Sequence, residues 1–327
     1  MAAVAAVVAM PSGGRGHPHA AARATPPRRL SSRHRHARGR SPSGFPVGLR
    51  VIRLVDAGRS IKLPSGAVEP RTLLTYVRYP AIGSTGAVDV PNAPPARASG
   101  PFPLVVFGHG FAVTPSVYSH LLQSWARAGY VVAAPVFPLE NANAPGGPDE
   151  ADLVNQPADV SFVITRLLAE AAAPGRLSGL IDPGRIAVSG QSDGGETALA
   201  VAYDSRLRDP RVGAALILSG AKIPGLAGFT FPSGSPPLLA VQGTADTVNP
   251  LALTTEFFDS ARRPKYLLRL IGAEHLPPYT AEQPQLGIVE RVTVAFMDRY
   301  LQHRRAELGR LHSLGTVPGL SSLTAQP

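Results

Sequence analysis

Three residues spread over the chain have the side chains needed for covalent catalysis by an oxygen nucleophile: Ser192, Asp246 and His275. A serine hydroxyl is a weak nucleophile at neutral pH and needs a base within hydrogen-bond reach. An imidazole serving as that base needs a carboxylate to hold its tautomer and stabilise the imidazolium. Ser192 stands in Gly190-Gln191-Ser192-Asp193-Gly194, between a β-branched run at 186–188 and a small-residue segment of helical character at 197–203. Strand, sharp turn and helix in that order make a nucleophile elbow, in which the glycines leave room for a strained turn that lifts the hydroxyl above the sheet edge. The helix behind it directs its N–H groups and positive dipole end at developing negative charge.

A bare G-x-S-x-G pentapeptide arises by chance, so its weight comes from its partners. Asp246 lies in 243–250, directly after the apolar run 238–241; His275 lies in 272–276, directly after the run 266–271. Each has a plainer use: aspartate is a favoured helix N-cap, and a lone loop histidine is common. Glu274 is expected to face solvent. A further loop, Gly108-His109-Gly110-Phe111, follows the apolar run 103–107 and reads either as a simple turn or as a source of an oxyanion-binding N–H. The second reading assigns the main-chain N–H groups of Phe111 and Asp193 to the oxyanion, leaving the Asp193 side chain to bear on substrate preference.

The elements that must position these residues follow from the hydropathy pattern. Strands are expected at 47–55, 71–79, 103–107, 130–136, 186–188, 212–218, 238–241 and 266–271, and helices at 117–128, 160–173, 197–203, 251–262 and 285–305. Short runs that are apolar throughout suit strands buried on both faces. Their alternation with helices predicts an α/β fold, a mostly parallel central sheet flanked by helices, with sites at the carboxyl ends of the strands. Only about 19 residues separate the runs 212–218 and 238–241, too few for a helical lid domain, so an open cleft is expected. Phe137, Phe229, Phe231 and Leu276, with Phe111, are candidates for an apolar substrate-binding wall, although core packing is the commoner use of such residues. The Pro-rich loop 138–148 is a candidate rim.

Composition narrows the rest. The chain has 327 residues and a formal charge of +10, but residues 1–50 hold nine Arg, no Lys and no acidic residue, which leaves about +1 for the remainder. A nearly neutral folded part offers no specific nucleic-acid face. Cysteine is absent, which excludes disulfides, thiolate metal sites and a Cys nucleophile. Residues 1–46 lack hydrophobic periodicity and are expected to be a disordered basic tail, followed by a catalytic domain at 47–310 and a C-terminal tail at 311–327. The H-x-H pairs His17/His19 and His34/His36 are expected to be solvated rather than metal-binding. The apolar decapeptide 1–10 is too short to span a bilayer. Because no positive residues precede it, an export segment and a plain extension stay equally open, and localisation with them.

Taken together, Gly108-His109-Gly110-Phe111, Gly190-Gln191-Ser192-Asp193-Gly194-Gly195, Gly243-Thr244-Ala245-Asp246 and Glu274-His275 resemble the α/β-hydrolase superfamily over roughly residues 47–305. Within it the chain is most similar to the dienelactone hydrolase, chlorophyllase and bacterial cutinase (polyester hydrolase) group. Those relatives often carry His before the elbow serine, where Gln191 stands here, and dienelactone hydrolases proper use a Cys that this chain lacks. The resemblance implies a cofactor-independent serine hydrolase of carboxylic esters, without a metal, acting on a small-molecule or polymeric ester through an acyl-enzyme. Transfer of the acyl group to an alcohol, and a catalytically dead binding module on the same scaffold, are the alternatives. A propeller-type peptidase is disfavoured, because no N-terminal region of blade repeats is present.

Overall fold

The computed structural model describes residues 44–226 and 228–327. The basic tail to residue 43, with its H-x-H pairs and apolar decapeptide, lies outside the described residues. The strands are β1 (Val47–Lys62), β2 (Val68–Pro80), β3 (Val90–Pro91), β4 (Phe102–Gly108), β5 (Val131–Val136), β6 (Ile181–Gln191), β7 (Val212–Leu218), β8 (Leu238–Gly243), β9 (Lys265–Leu270) and β10 (Ser321–Gln326). The helices are α1 (Ser119–Arg127), α2 (Gln156–Ala172), α3 (Asp193–Tyr203), α4 (Leu251–Ser260), α5 (Pro277–Thr280), α6 (Gln285–Tyr300) and α7 (Glu307–Gly315). Among the described residues the strands form one sheet in the order β10-β9-β8-β7-β6-β4-β5-β2-β1-β3. The central strands, from β9 across to β5, run parallel, while β2 joins β5 and β10 joins β9 antiparallel.

The apolar runs work as continuous hydrophobic strands because alternate residues feed two different cores. On one face Leu104, Val106, Ile186, Val188 and Ile217 pack with Val163, Ile164 and Leu167 of α2 and with Leu199 of α3. On the other face Val105, Phe107, Ala187, Leu216 and Val241 pack with Trp125 of α1 and with Val289, Val292 and Phe296 of α6. A strand covered on both sides has no polar face to show, which is why periodicity alone does not reveal its direction. Two buried hydrogen bonds pin α1 and β5 to α6: Trp125 Nε1 to Thr293 Oγ1 at 2.8 Å, and the Tyr130 hydroxyl to Asp298 at 2.6 Å.

Several boundaries differ from the sequence expectation. Helix α3 starts at Asp193 rather than 197, because the Gly194-Gly195 pair that reads as turn is needed for close packing, not for chain reversal. Helix α2 starts at Gln156, with Pro157 in its first turn, where a missing N–H costs nothing. The segment 311–327, expected as a tail, completes α7 and supplies β10, whose register against β9 runs from Ser321 opposite Leu270 to Gln326 opposite Lys265. Residues 219–237 contain no helix among the described positions, so no helical lid is inserted there.

The chain passes from β4 to β5 on one side and returns through α2 to β6 on the other. This is a switch in strand order, the place in an open α/β sheet beside whose strand carboxyl ends sites are built. The loops carrying Phe111, Ser192, Asp246 and His275 all leave carboxyl ends of parallel strands: β4, β6, β8 and β9 in turn.

Candidate active site

Ser192 sits between the last residue of β6 and the first of α3 with φ 55° and ψ −126°. A non-glycine residue in that region is strained, and strain of this kind persists only where the surroundings force it. Here they do. A Cβ on Gly190 would collide with the carbonyl of Gly194, and a Cβ on Gly194 with the carbonyl of Gly108, so the elbow closes only with hydrogen at both positions. The Ser192 N–H donates to Leu218 O at 3.0 Å, and its carbonyl accepts from Glu196 N at 2.9 Å, which fixes the turn on both sides.

His275 reaches the serine from the loop after β9. Its Nε2 lies 2.9 Å from Ser192 Oγ and its Nδ1 lies 2.7 Å from Asp246 Oδ2. Asp246 is held by more than the histidine: Oδ1 accepts from the N–H groups of Val248 and Asn249, each at 2.9 Å, and Oδ2 accepts from Gln242 Nε2 at 2.8 Å. Burial pushes the Asp246 carboxyl up. The His275 contact, the Asn249 N–H and the Gln242 amide outweigh it and hold the group below the usual carboxylate range. The Gln242 amide cannot turn over freely, because its Oε1 accepts from the Thr254 hydroxyl at 2.6 Å. Nδ1 of His275 therefore faces an anion and carries the proton, leaving Nε2 free to accept from Ser192. Ser192 Oγ also lies 3.4 Å from Asp193 Oδ1, a longer and weaker alternative to the histidine. Glu274 is exposed, as expected of it.

The loop after β4 is set by His109, whose side chain has no role assigned to it in the 108–111 motif. His109 is fully buried; its Nδ1 lies 2.8 Å from Gly110 O and its Nε2 accepts from Phe137 N at 3.0 Å. An N–H can donate only to a nitrogen lone pair, so Nδ1 holds the proton and the ring is neutral. Burial holds its pKa down at about 4, against the smaller opposing pull of Gly110 O. His109 thus ties the 108–111 turn to the end of β5. Phe111, further along the turn, is 41% exposed, and Ala112 N donates to Glu140 O at 3.0 Å. Asp193 occupies the first turn of α3, where a backbone N–H has no acceptor within the helix.

A second group of acids lies behind the elbow. Glu140 is fully buried, its carboxyl bonded by Gln156 Nε2, and Gln156 Oε1 accepts from Thr197 Oγ1 at 2.7 Å. Burial, then contact with the Asp193 carboxyl, pushes Glu140 far above the usual range, so it keeps its proton at neutral pH. Glu196 is pushed up to about 8 by burial and by the charge of Asp193. Keeping these groups protonated limits the negative charge beside the serine.

Two of the side chains expected in an apolar substrate-binding wall are buried in the core instead. Phe137 is fully buried against His109, with ring centroids 4.9 Å apart, and Phe231 is buried against Tyr203 at 5.0 Å. Both are core residues with no surface for a ligand. Phe229 and Leu276 are half-buried on the margins of the two cores. Phe111 is the member of the set that presents a substantial surface. Among the described residues no three His, Cys, Asp or Glu side chains are grouped to hold a metal, and no helix is long and apolar enough to cross a membrane.

Comparison with known proteins bears on this arrangement. The chlorophyllase family model matches residues 91–217, less than half of the chain, which takes in the loop after β4 and the Ser192 elbow and stops before Asp246 and His275. No curated protein matches. Among solved structures, a ferulic acid esterase from Streptomyces cinnamoneus superposes with a TM-score of 0.61 at 24% identity, covering 80% of this chain and 91% of that one. The chain has the α/β-hydrolase fold.

Proposed function

We propose that this protein is a serine hydrolase of carboxylic esters. One observation carries the reading: an unbroken hydrogen-bond chain from Ser192 Oγ through both nitrogens of His275 to an Asp246 carboxylate already saturated with donors. In the proposed reaction Ser192 Oγ attacks the ester carbonyl carbon while His275 Nε2 takes its proton. The tetrahedral oxyanion is held by the main-chain N–H of Phe111, from the loop after β4, and that of Asp193 at the N-terminal end of α3, where the helix dipole adds to the donor. The imidazolium returns its proton to the alkoxide as the C–O bond breaks, leaving the acyl group on Ser192. Water, deprotonated by the same nitrogen, then releases the acid.

The sequence match to chlorophyllases and the fold shared with a ferulic acid esterase support ester substrates over amides. The lidless 219–237 segment and the exposed Phe111 side chain favour a cleft open to bulky esters, the polymeric ones of cutinase-like enzymes included. Hydrolysis of p-nitrophenyl esters from acetate to palmitate, compared between wild type and Ser192→Ala, tests the proposal. Activity and fluorophosphonate labelling are both expected in the wild type and absent in the variant. A folded wild type that neither hydrolyses the series nor takes the label would overturn it in favour of a binding module.

A further inference from the structure

Gln191 immediately precedes Ser192, and its side chain joins two loops that the chemistry needs together. It ends β6 and is buried. Its Nε2 donates to the backbone carbonyl of His275 at 3.0 Å, and its Oε1 accepts from the Tyr118 hydroxyl at 2.7 Å. The Tyr118 oxygen in turn accepts from the N–H of Gly110 at 3.3 Å. A Cβ placed on Gly110 would meet Gln191 Oε1 at 2.8 Å, so the loop bearing Phe111 lies directly against the amide. Tyr118 is itself buried and packs edge-on against Phe107 of β4 with centroids 4.9 Å apart, so its hydroxyl has little freedom to move.

We propose that Gln191 is a positioning residue: its amide clamps the His275 loop and, through Tyr118, the Gly110-Phe111 loop in fixed register with Ser192. The proposal rests on the esterase reading for its kinetic consequences, not for its geometry. An amide suits the task because one planar group offers a donor to a carbonyl on one side and an acceptor to a hydroxyl on the other. The base and one oxyanion donor come from loops after two strands separated by β6, β7 and β8 in the sheet. Without the clamp, their relative placement depends on two independent loops. A displacement of about 1 Å between reacting groups costs about 10²-fold in rate.

The test compares wild type with Gln191→Met, which keeps the side-chain volume but loses both bonds, with Tyr118→Phe, which loses only the hydroxyl, and with the double variant. Gln191→Met is expected to lower kcat on a p-nitrophenyl ester by about 10²-fold with KM changed by less than about twofold, the signature of an interaction that matters in the transition state. Tyr118→Phe is expected to lower kcat by a smaller factor, and the double variant to be no slower than Gln191→Met, because both act along one path. A purely structural role would lower the melting temperature and leave kcat intact well below it. A second readout does not depend on turnover: the low-field proton resonance of the His275–Asp246 hydrogen bond, identified by its absence in His275→Ala. It is expected to broaden or shift in Gln191→Met. A folded Gln191→Met with kcat within about threefold of wild type and an unchanged resonance would overturn the proposal. An inactive wild type would instead overturn the esterase reading, and the resonance would then decide on the clamp alone.

Discussion

Replacing Asp246 by asparagine changes one oxygen to an NH2 group, and the structure says where the damage falls. Four donors converge on the carboxylate: two backbone N–H groups on Oδ1, and Gln242 Nε2 and His275 Nδ1 on Oδ2. The backbone pair cannot move, so the single oxygen of the substituted amide stays with the N–H groups of Val248 and Asn249. The new NH2 then faces Gln242 Nε2, whose amide is held by Thr254, and His275 Nδ1. To avoid two N–H groups in opposition, the imidazole must take the other tautomer and present N–H, rather than a lone pair, to Ser192 Oγ. A base in the wrong tautomer costs about 10⁴-fold in kcat in the worked case of a protease triad. At about 1.36 kcal/mol per tenfold, that is about 5.4 kcal/mol of barrier. The opposed Gln242 amide adds about 1–3 kcal/mol of lost stability, which a domain of this size survives. Steady-state hydrolysis of a p-nitrophenyl ester, with folding checked by near-ultraviolet circular dichroism, measures both. A folded Asp246→Asn within about tenfold of wild-type kcat would refute the argument that Asp246 sets the tautomer of His275.

Three further outcomes follow from the same geometry. Gly194→Ala should prevent the elbow from closing, because the added methyl meets the Gly108 and His109 carbonyls; urea unfolding is expected to show a loss above about 3 kcal/mol or no cooperative fold, and a loss below about 1 kcal/mol would contradict the packing. Glu196 holds its proton to about pH 8 in the folded chain against 4.5 in the unfolded one, and Glu140 holds its own far above 4.5. The folded state therefore binds more protons than the unfolded state above pH 4.5, and these two groups contribute stability that is complete at low pH and drains as pH rises. The slope is about 1.4 kcal/mol per pH unit for each retained proton. Urea midpoints are expected to fall between about pH 6 and pH 8, less steeply in Glu140→Gln, and an identical slope in that variant would refute the assignment. Deletion of residues 1–43 is expected to leave kcat and KM on a p-nitrophenyl ester within about twofold of the full chain, since the described site residues all lie beyond residue 100; loss of activity in a folded truncation would show that the basic tail takes part.

Legibility in the sequence tracks how local each constraint is. β4, β5, β7 and β8 can be read from sequence because a strand buried on both faces is apolar at nearly every position, and the chemistry-bearing residues are readable because they fall just after such runs. β10 is not: Ser321-Ser322-Leu323-Thr324-Ala325-Gln326 pairs on one side only, at the edge of the sheet, and buries little apolar surface. α7 is obscured by Gly309 in its first turn and by the charged residues Arg304, Arg305 and Glu307 around its start. Phe137 and Phe231 show the converse error, since an aromatic residue near a motif has the same sequence signature whether it lines a cleft or fills a core; contacts with His109 and Tyr203 decide it. Gln191 is the sharpest case. From the sequence it is a departure from a pattern at a position with no assigned chemistry. Its significance arises from Tyr118 and His275, 73 residues before it and 84 after it, which meet the same amide only once the sheet has brought β4, β6 and β9 into one edge. A serine, a histidine and an aspartate are legible because their chemistry restricts which residue types will serve. The residue that holds them in register is restricted by geometry instead, and geometry of that range is written in the fold.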